Sequence, residues 1–258
     1  MVNISQQKLK RMTQLRIVDV PLLSSYLEKM GISRNLQQYY LGSGWLDRIG
    51  HGAYLWPGDK LDWQGIVNSL QSQLDLPVHI GAMTALSFAG YSHYLRITGE
   101  KAFLFSGQKR DLPGWARSQP CSQNLSMCFT KFLSDDTLGI VDVPHKTFAL
   151  RASCPERAIL ETLYLTPKNI DYAEAYQLME NLATLRPKIL QELLENCGSV
   201  KVKRLFLLFS GESGHAWAKR LDKARIDIGS GIRSLAKDGV YVQEYHLVIP
   251  RELRDLWH

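Results

Sequence analysis

Cysteine is scarce in this chain, with four in 258 residues. Cys121, Cys128, Cys154 and Cys197 include no CxxC pair and have no histidine at zinc-finger spacing, which excludes the common zinc and dithiol motifs. They read as reduced thiols of a cytoplasmic protein. Phosphate-binding loops are missing too, since neither GxxxxGK[ST] nor GxGxxG occurs. The nearest approach, Gly229-Ser230-Gly231, reads as a surface turn. A Gly-Ser pair opens a nucleotidyltransferase site only when paired metal-binding carboxylates follow closely, and here the next acid, Asp238, stands alone. There is no GxSxG elbow, and Ser213-Gly214-His215 has no triad signature. The histidines are scattered. His79 and His93 flank an uncharged segment and read as core or boundary residues. Asp135-Asp136 reads as a turn. No catalytic residue, metal ligand or cofactor site emerges, and the expectation is a protein that is not an enzyme.

Long apolar runs are absent as well. The longest stretch without a charged side chain runs over residues 76–95, which is membrane-spanning length. It is broken by Pro77, His79, Gly81, Thr84, Ser87, Gly90, Ser92 and His93, so a buried helix is expected rather than a span. The first residues, through Arg16, are polar and basic and lack the apolar segment of a secretory signal. A cytoplasmic protein with no membrane partner is expected.

Basic charge predominates modestly, at a net +6. Residues 1–60 carry 8 Lys and Arg against 4 Asp and Glu, and residues 200–258 carry 11 against 7, around a mildly acidic middle. Such a distribution favours a polyanionic partner weakly and also fits ordinary surface scatter.

The N-terminal quarter is the most strongly patterned part. Residues 5–12 suit a helix capped by Ser5, with a basic cluster of Lys8, Lys10 and Arg11. Asp19-Val20-Pro21 reads as a second helix start, followed at helical spacing by Leu22, Leu23, Tyr26, Leu27 and Met30. Gly31 stops that helix, and Ser33 is placed to cap the next only two residues later. In this third helix Ile32, Leu36, Tyr39 and Tyr40 are expected on the packed side, with Arg34, Asn35, Gln37 and Gln38 largely opposite. Residues 45–49 and 53–56 then form a hairpin about Gly50-His51-Gly52, closed by Pro57-Gly58.

Helix, tight turn, polar-faced helix and hairpin together spell a winged helix-turn-helix and make double-stranded DNA the expected partner. A DNA-reading helix presents one polar face to base edges and packs the other on a support helix. Arg34 suits guanine, and Asn35, Gln37 or Gln38 suits adenine. Ser33 opens the same helix. Arg48 and His51 sit in the wing, and Lys8, Lys10 and Arg11 suit backbone phosphates. The alternative is a helical hairpin and a β-hairpin with a merely solvated polar face.

Beyond residue 58, helices are expected at 62–74 (amphipathic) and 81–90. Strands follow at 101–106, 125–132, 138–143 and 146–151. Ser153-Cys154-Pro155-Glu156 suits a helix entry with Ser153 as cap, leading into helices at 156–165, 171–182 and 187–197. Residues 200–210 alternate like a strand yet are Leu-rich like a helix. Residues 215–221 suit a helix and 241–249 a final strand. The fold class is therefore α+β, a winged helix-turn-helix followed by a larger mixed α/β domain, with domains at 1–95 (DNA-reading part 5–58) and 96–258. Arg157, Glu161, Lys201, Lys203, Arg204 and Arg233 form either a functional surface on the second domain or, the favoured reading, internal ion pairs.

In order and spacing, GISRNLQQYYLGSGWLDRIGHGAYLWPG, PVHIGAMTALSFAGYSHYL, SCPERAILETLYL, SVKVKRLFLLF and IDIGSGIRSLAKDGVYVQEYHLVIP resemble the AbiEi-type antitoxins of type IV toxin–antitoxin and abortive-infection systems, which act in phage defence. The resemblance implies a repressor that binds inverted repeats in its own promoter. It further implies a C-terminal domain with antitoxin activity and a cognate nucleotidyltransferase toxin, opposed without a stable complex. Direct sequestration of the toxin is the alternative. No antitoxin residue is carried over from the resemblance.

Overall fold

The structure is a computed structural model that describes residues 9–91 and 101–257. Its N-terminal part, the head, runs through α1 (residues 9–14), β1 (Leu22–Leu23), α2 (Ser24–Lys29), α3 (Arg34–Gly42), β2 (Asp47–Gly50) and β3 (Ala53–Leu55). The three strands pair in the order β1-β3-β2, both pairings antiparallel. This is a winged helix-turn-helix, with α2 and α3 as the helical pair and β2–β3 as a very short wing. Met12, Leu22, Leu27, Ile32, Tyr40, Leu46, Tyr54 and Trp56 form its core, drawn from α1, β1, α2, α3 and β3 and from the turns beside them, with none from β2.

The helix start expected at Asp19 fails. Asp19 does not cap a helix; it has a positive φ of 65°, and α2 begins only at Ser24. The intervening segment is extended because its backbone is bonded elsewhere. The Pro21 carbonyl accepts from Ser69 Oγ and Gln73 Nε2, and Leu23 N donates to Gln73 Oε1. Leu22 and Leu23 in turn pair with Tyr54 and Ala53 as the third strand of the wing sheet.

Those anchors belong to α4 (Trp63–Ser72) and to Gln73 at its C-cap; the helix is capped at its start by Asp62, whose carboxylate accepts from Gly65 N. The sequence suggested an amphipathic helix, but residues 65–71 are buried consecutively. The helix is covered on both sides because it is wedged between head and body. Ser69 and Gln73 face the head. Asn68 Nδ2 donates to the Ala149 carbonyl, and Gln71 exchanges bonds with the Arg151 backbone.

The body is built on a five-stranded mixed sheet in the order β6-β5-β4-β8-β7, with β4 (Val78–Ile80), β5 (Ala102–Ser106), β6 (Leu125–Phe129), β7 (Ile140–His145) and β8 (Phe148–Ser153). β4 is central, antiparallel to β5 and parallel to β8. The sheet therefore draws strands from both sides of the boundary expected at residue 95. Helices α5 (Ala82–Phe88), α7 (Pro155–Leu165), α8 (Tyr172–Glu180), α9 (Pro187–Glu195) and α10 (Val200–Glu212) cover it and share one large apolar core with it. A short α6 (Gly114–Arg117) lies against the wing.

The ambiguous residues 200–210 are helical: Val202, Leu205, Phe206, Leu207, Leu208 and Phe209 are all buried, more sides than a strand offers one core. The expected last strand is two, β10 (Val240–Val242) and β11 (Leu247–Ile249), turned at His246 with φ 47° and completed by β9 (Arg233–Ser234). A final short helix, α11 (Arg251–Asp255), follows. Residues 215–221 keep only a 3₁₀ turn, Ala218–Arg220. Cys154, not Ser153, occupies the N-cap position of α7, without a side-chain cap bond, and Ser153 Oγ donates instead to Glu161.

Candidate nucleic-acid interface

Helix α3 has one covered and one open side. Ile32 at its entrance, Gln37 and Tyr40 are buried, with Leu36 and Leu41 half-buried, whereas Ser33, Arg34, Asn35, Gln38, Tyr39 and Gly42 are exposed. Positions 34, 35, 38, 39 and 42 make one stripe because residues four apart stack on a helix. Arg34, Asn35 and Gln38 thus lie where a reading surface needs them. Gln37 does not. It is fully buried; Ser24 Oγ donates to its Oε1 at 2.7 Å, and its Nε2 donates to the Ile32 carbonyl at 2.9 Å. Its amide is consumed in joining α3 to α2, so it drops out as a base reader. Tyr39, expected in the core, takes the place on the open face and is 61% exposed. The i, i+4 relation to Asn35 was the available signal. Ser33 occupies the N-cap position without a side-chain cap bond.

Beside this stripe lies a groove of about 430 Å³. Ser24, Ser25 and Glu28 of α2, Arg34 and Gln38 of α3, and Arg48 and His51 of the wing line it, with Trp115 and Pro113 of the body as its far wall. Two bonds span it. Arg34 Nε donates to Glu28 Oε1 at 2.7 Å, and Arg48 Nη2 donates to Gln38 Oε1 at 3.3 Å. Sequence patterning brought Arg34, Gln38, Arg48 and His51 to this region but gave no sign of Glu28. Lys10 and Arg11 are exposed on α1. Arg11 reaches over the turn glycine, where a β-carbon at Gly31 would sit 3.3 Å from its Nη1. Lys8 lies outside the described residues, as do Ser5 and His93.

The head is held firmly against the body. Gly50 of the wing packs so closely on Trp115 that a β-carbon would come within 2.7 Å of its Cβ. Gln119 Nε2 donates to the Ile49 carbonyl. On the opposite flank, Lys146 from the β7–β8 turn bridges Asp19 at 2.9 Å and Asp62 at 2.7 Å. The lysine hydrogen bond, joined by the Lys60 backbone N–H, holds the Asp19 carboxyl below its usual range, and the two aspartates raise the Lys146 ammonium.

Two family models cover almost all of the chain. Residues 5–97 match the N-terminal domain of the AbiEi antitoxin transcriptional regulators. Residues 99–250 match the AbiEi antitoxin transcriptional regulators of type IV toxin–antitoxin systems. The chain belongs to the AbiEi family. No curated protein matches it. Among solved structures, the RV2827C protein of Mycobacterium tuberculosis matches with a TM-score of 0.64 over 98% of this chain and 94% of that one, at 14% identity, a likeness of fold.

In this AbiEi-family protein the polar residues of the body serve mainly its interior. Glu161, wholly buried, accepts from His79 Nε2, Ala82 N, Ser153 Oγ and Arg157 Nε at 2.8–3.0 Å. Burial pushes its carboxyl up, but His79 and Arg157 outweigh burial and leave it below the usual range. Arg204 is buried beneath the Gly229-Ser230-Gly231 turn, and its guanidinium donates to the carbonyls of Ile228, Gly229, Ser230, Gly231 and His246. A phosphate loop aims N–H groups at its ligand; this turn aims carbonyls at an arginine. Lys201 donates to the Tyr164 and Thr166 carbonyls, and burial lowers its pKa. Lys203 is buried and Arg233 exposed, neither in an ion pair among the described residues. Asp135 Oδ1 accepts from Thr137 N and Leu138 N, the turn its sequence suggests. The described residues hold no cluster of metal-ligating side chains and no helix long and apolar enough to cross a membrane.

Proposed function

We propose that the head reads inverted repeats in the promoter of its own operon and represses it. In the same reading the C-terminal domain, residues 96–258, opposes a nucleotidyltransferase toxin without forming a stable complex with it. The exposed stripe Arg34, Asn35, Gln38 and Tyr39, continuous with Arg48 and His51 of the wing, carries the DNA half. Hydrogen-bonding and aromatic side chains on one helix face, opposite a packed face, are what major-groove reading requires. The antitoxin half rests on family membership.

Gel-shift with the DNA upstream of the gene tests the first half. Specific binding is expected, and equal binding to unrelated DNA overturns it. Arg34→Ala is expected to cost about 1–3 kcal/mol on the cognate site alone, whereas Lys10→Ala weakens all sequences alike and lowers the salt slope by about 1. Co-purification with the toxin encoded alongside tests the second half, where a stable stoichiometric complex points to sequestration instead.

A further inference from the structure

The bond between Glu28 and Arg34 places a carboxylate in a groove whose other charged or polar side chains include Ser24, Ser25, Arg34, Gln38, Arg48 and His51, beside an apolar wall that includes Pro113 and Trp115. A carboxylate at a DNA-facing surface opposes phosphate approach, so it lowers affinity for every sequence. The ion pair itself is exposed, with the arginine side chain 78% accessible. Pairs of that kind add at most about 1 kcal/mol to stability. Neither affinity nor stability gives Glu28 a reason to be there. Geometry does. The carboxylate engages Arg34 at Nε. Among the described residues nothing bonds Nη1 or Nη2, and the side chain is largely exposed, so the two donors at the end of the guanidinium are left for a ligand. That edge matches the N7 and O6 acceptors of guanine. An arginine free to swing would settle on the nearest phosphate instead.

We infer that Glu28 is a positioning residue, which holds Arg34 end-on toward a guanine and converts a general phosphate contact into a base reading. The inference rests on the DNA-reading function proposed above and names what the site reads. One helical turn on, Arg48 Nη2 donates to the neutral Gln38 Oε1 at 3.3 Å, a contact that takes up one of that arginine's terminal nitrogens and leaves the end-on geometry to Arg34. Specificity here comes partly from repulsion, because the same carboxylate that aims the arginine also penalises DNA that offers only phosphates.

The test uses the full chain and fluorescence anisotropy. Targets are the upstream DNA, a set in which each guanine in turn is replaced by adenine, and a scrambled duplex. Wild type is expected to lose about 10-fold or more in affinity at one guanine, the scale of a bidentate contact. Glu28→Ala is expected to abolish most of that discrimination while binding the scrambled duplex more tightly, with an unchanged melting temperature. Glu28→Gln keeps an accepting oxygen, so it is expected to retain discrimination while sharing the tighter non-specific binding. Arg34→Ala removes the discrimination, and adding Glu28→Ala to it removes nothing further, since residues acting through one contact are not additive. Full guanine discrimination in Glu28→Ala, or losses that multiply in the double variant, overturns the inference and leaves the DNA-reading function standing. Equal wild-type binding to the upstream and scrambled duplexes overturns both.

Discussion

Gln37 and Ser24 lock the two helices of the reading head together. Ser24 Oγ donates to Gln37 Oε1 at 2.7 Å, and Gln37 Nε2 donates back to the Ser24 carbonyl at 3.3 Å and to the Ile32 carbonyl at 2.9 Å. Replacing Gln37 by Ala leaves buried groups unpaired, which costs about 1–3 kcal/mol. Urea denaturation is expected to show that loss, with the base preference of the remaining folded protein intact. A changed base preference at unchanged stability would return Gln37 to the reading surface.

Tyr39 should behave in the opposite way. With 61% of its surface exposed, its ring contributes little to folding. Tyr39→Ala is expected to weaken promoter binding at least several-fold in a gel-shift titration and to leave the melting temperature unaltered. An unaffected affinity would place the DNA contact nearer the N-terminus of α3.

The seam between head and body has a test at Gly65. A β-carbon there would overlap the Asp19 carbonyl oxygen, which is backbone and has little freedom to retreat. Gly65→Ala is expected to destabilise the protein by about 1–3 kcal/mol, the usual penalty for overpacking. Limited proteolysis should then cut first near residues 57–62, between wing and α4. Wild-type stability in this variant would mean the seam is looser than its hydrogen bonds imply.

Acid sensitivity should come from Glu161. Its carboxyl sits below the ordinary 4.5 in the folded protein because His79 and Arg157 outweigh the opposing effect of burial. A depressed folded pKa contributes stability above the unfolded value and loses it as pH falls toward the folded one. Urea denaturation between pH 3 and 7 is therefore expected to show stability falling below about pH 4.5. Glu161→Gln breaks the buried cluster at a cost of about 3–5 kcal/mol near neutrality, and its acid limb should be flatter. A parallel acid limb in the variant would assign the effect to other carboxyls, with Glu156, bonded to Arg186, the next to test.

The sequence by itself determined the helical pair of the head, the turn at Gly31, the hairpin about His51, and the exposure of Arg34, Asn35 and Gln38. Family membership was legible as well, through the order and spacing of its fragments. Helix periodicity and turn chemistry act over a few residues, so local sequence carries them. Tertiary structure decided which residue at the edge of a helix face turns inward. Gln37 and Tyr39 both sit at the edge of α3's packed stripe, and the position of α2 settles which is covered. It also decided that Asp19 precedes a strand, through Leu23 and Gln73, 50 residues apart. The pairing of His79 with Glu161 across 82 residues belongs to the same class. So does the bond by which Glu28 aims Arg34, since two exposed charges six positions apart on different helices meet only because the Gly31 turn sets the angle between them. Such contacts depend on how finished elements pack, and one strand or one helix does not encode the partner it will meet.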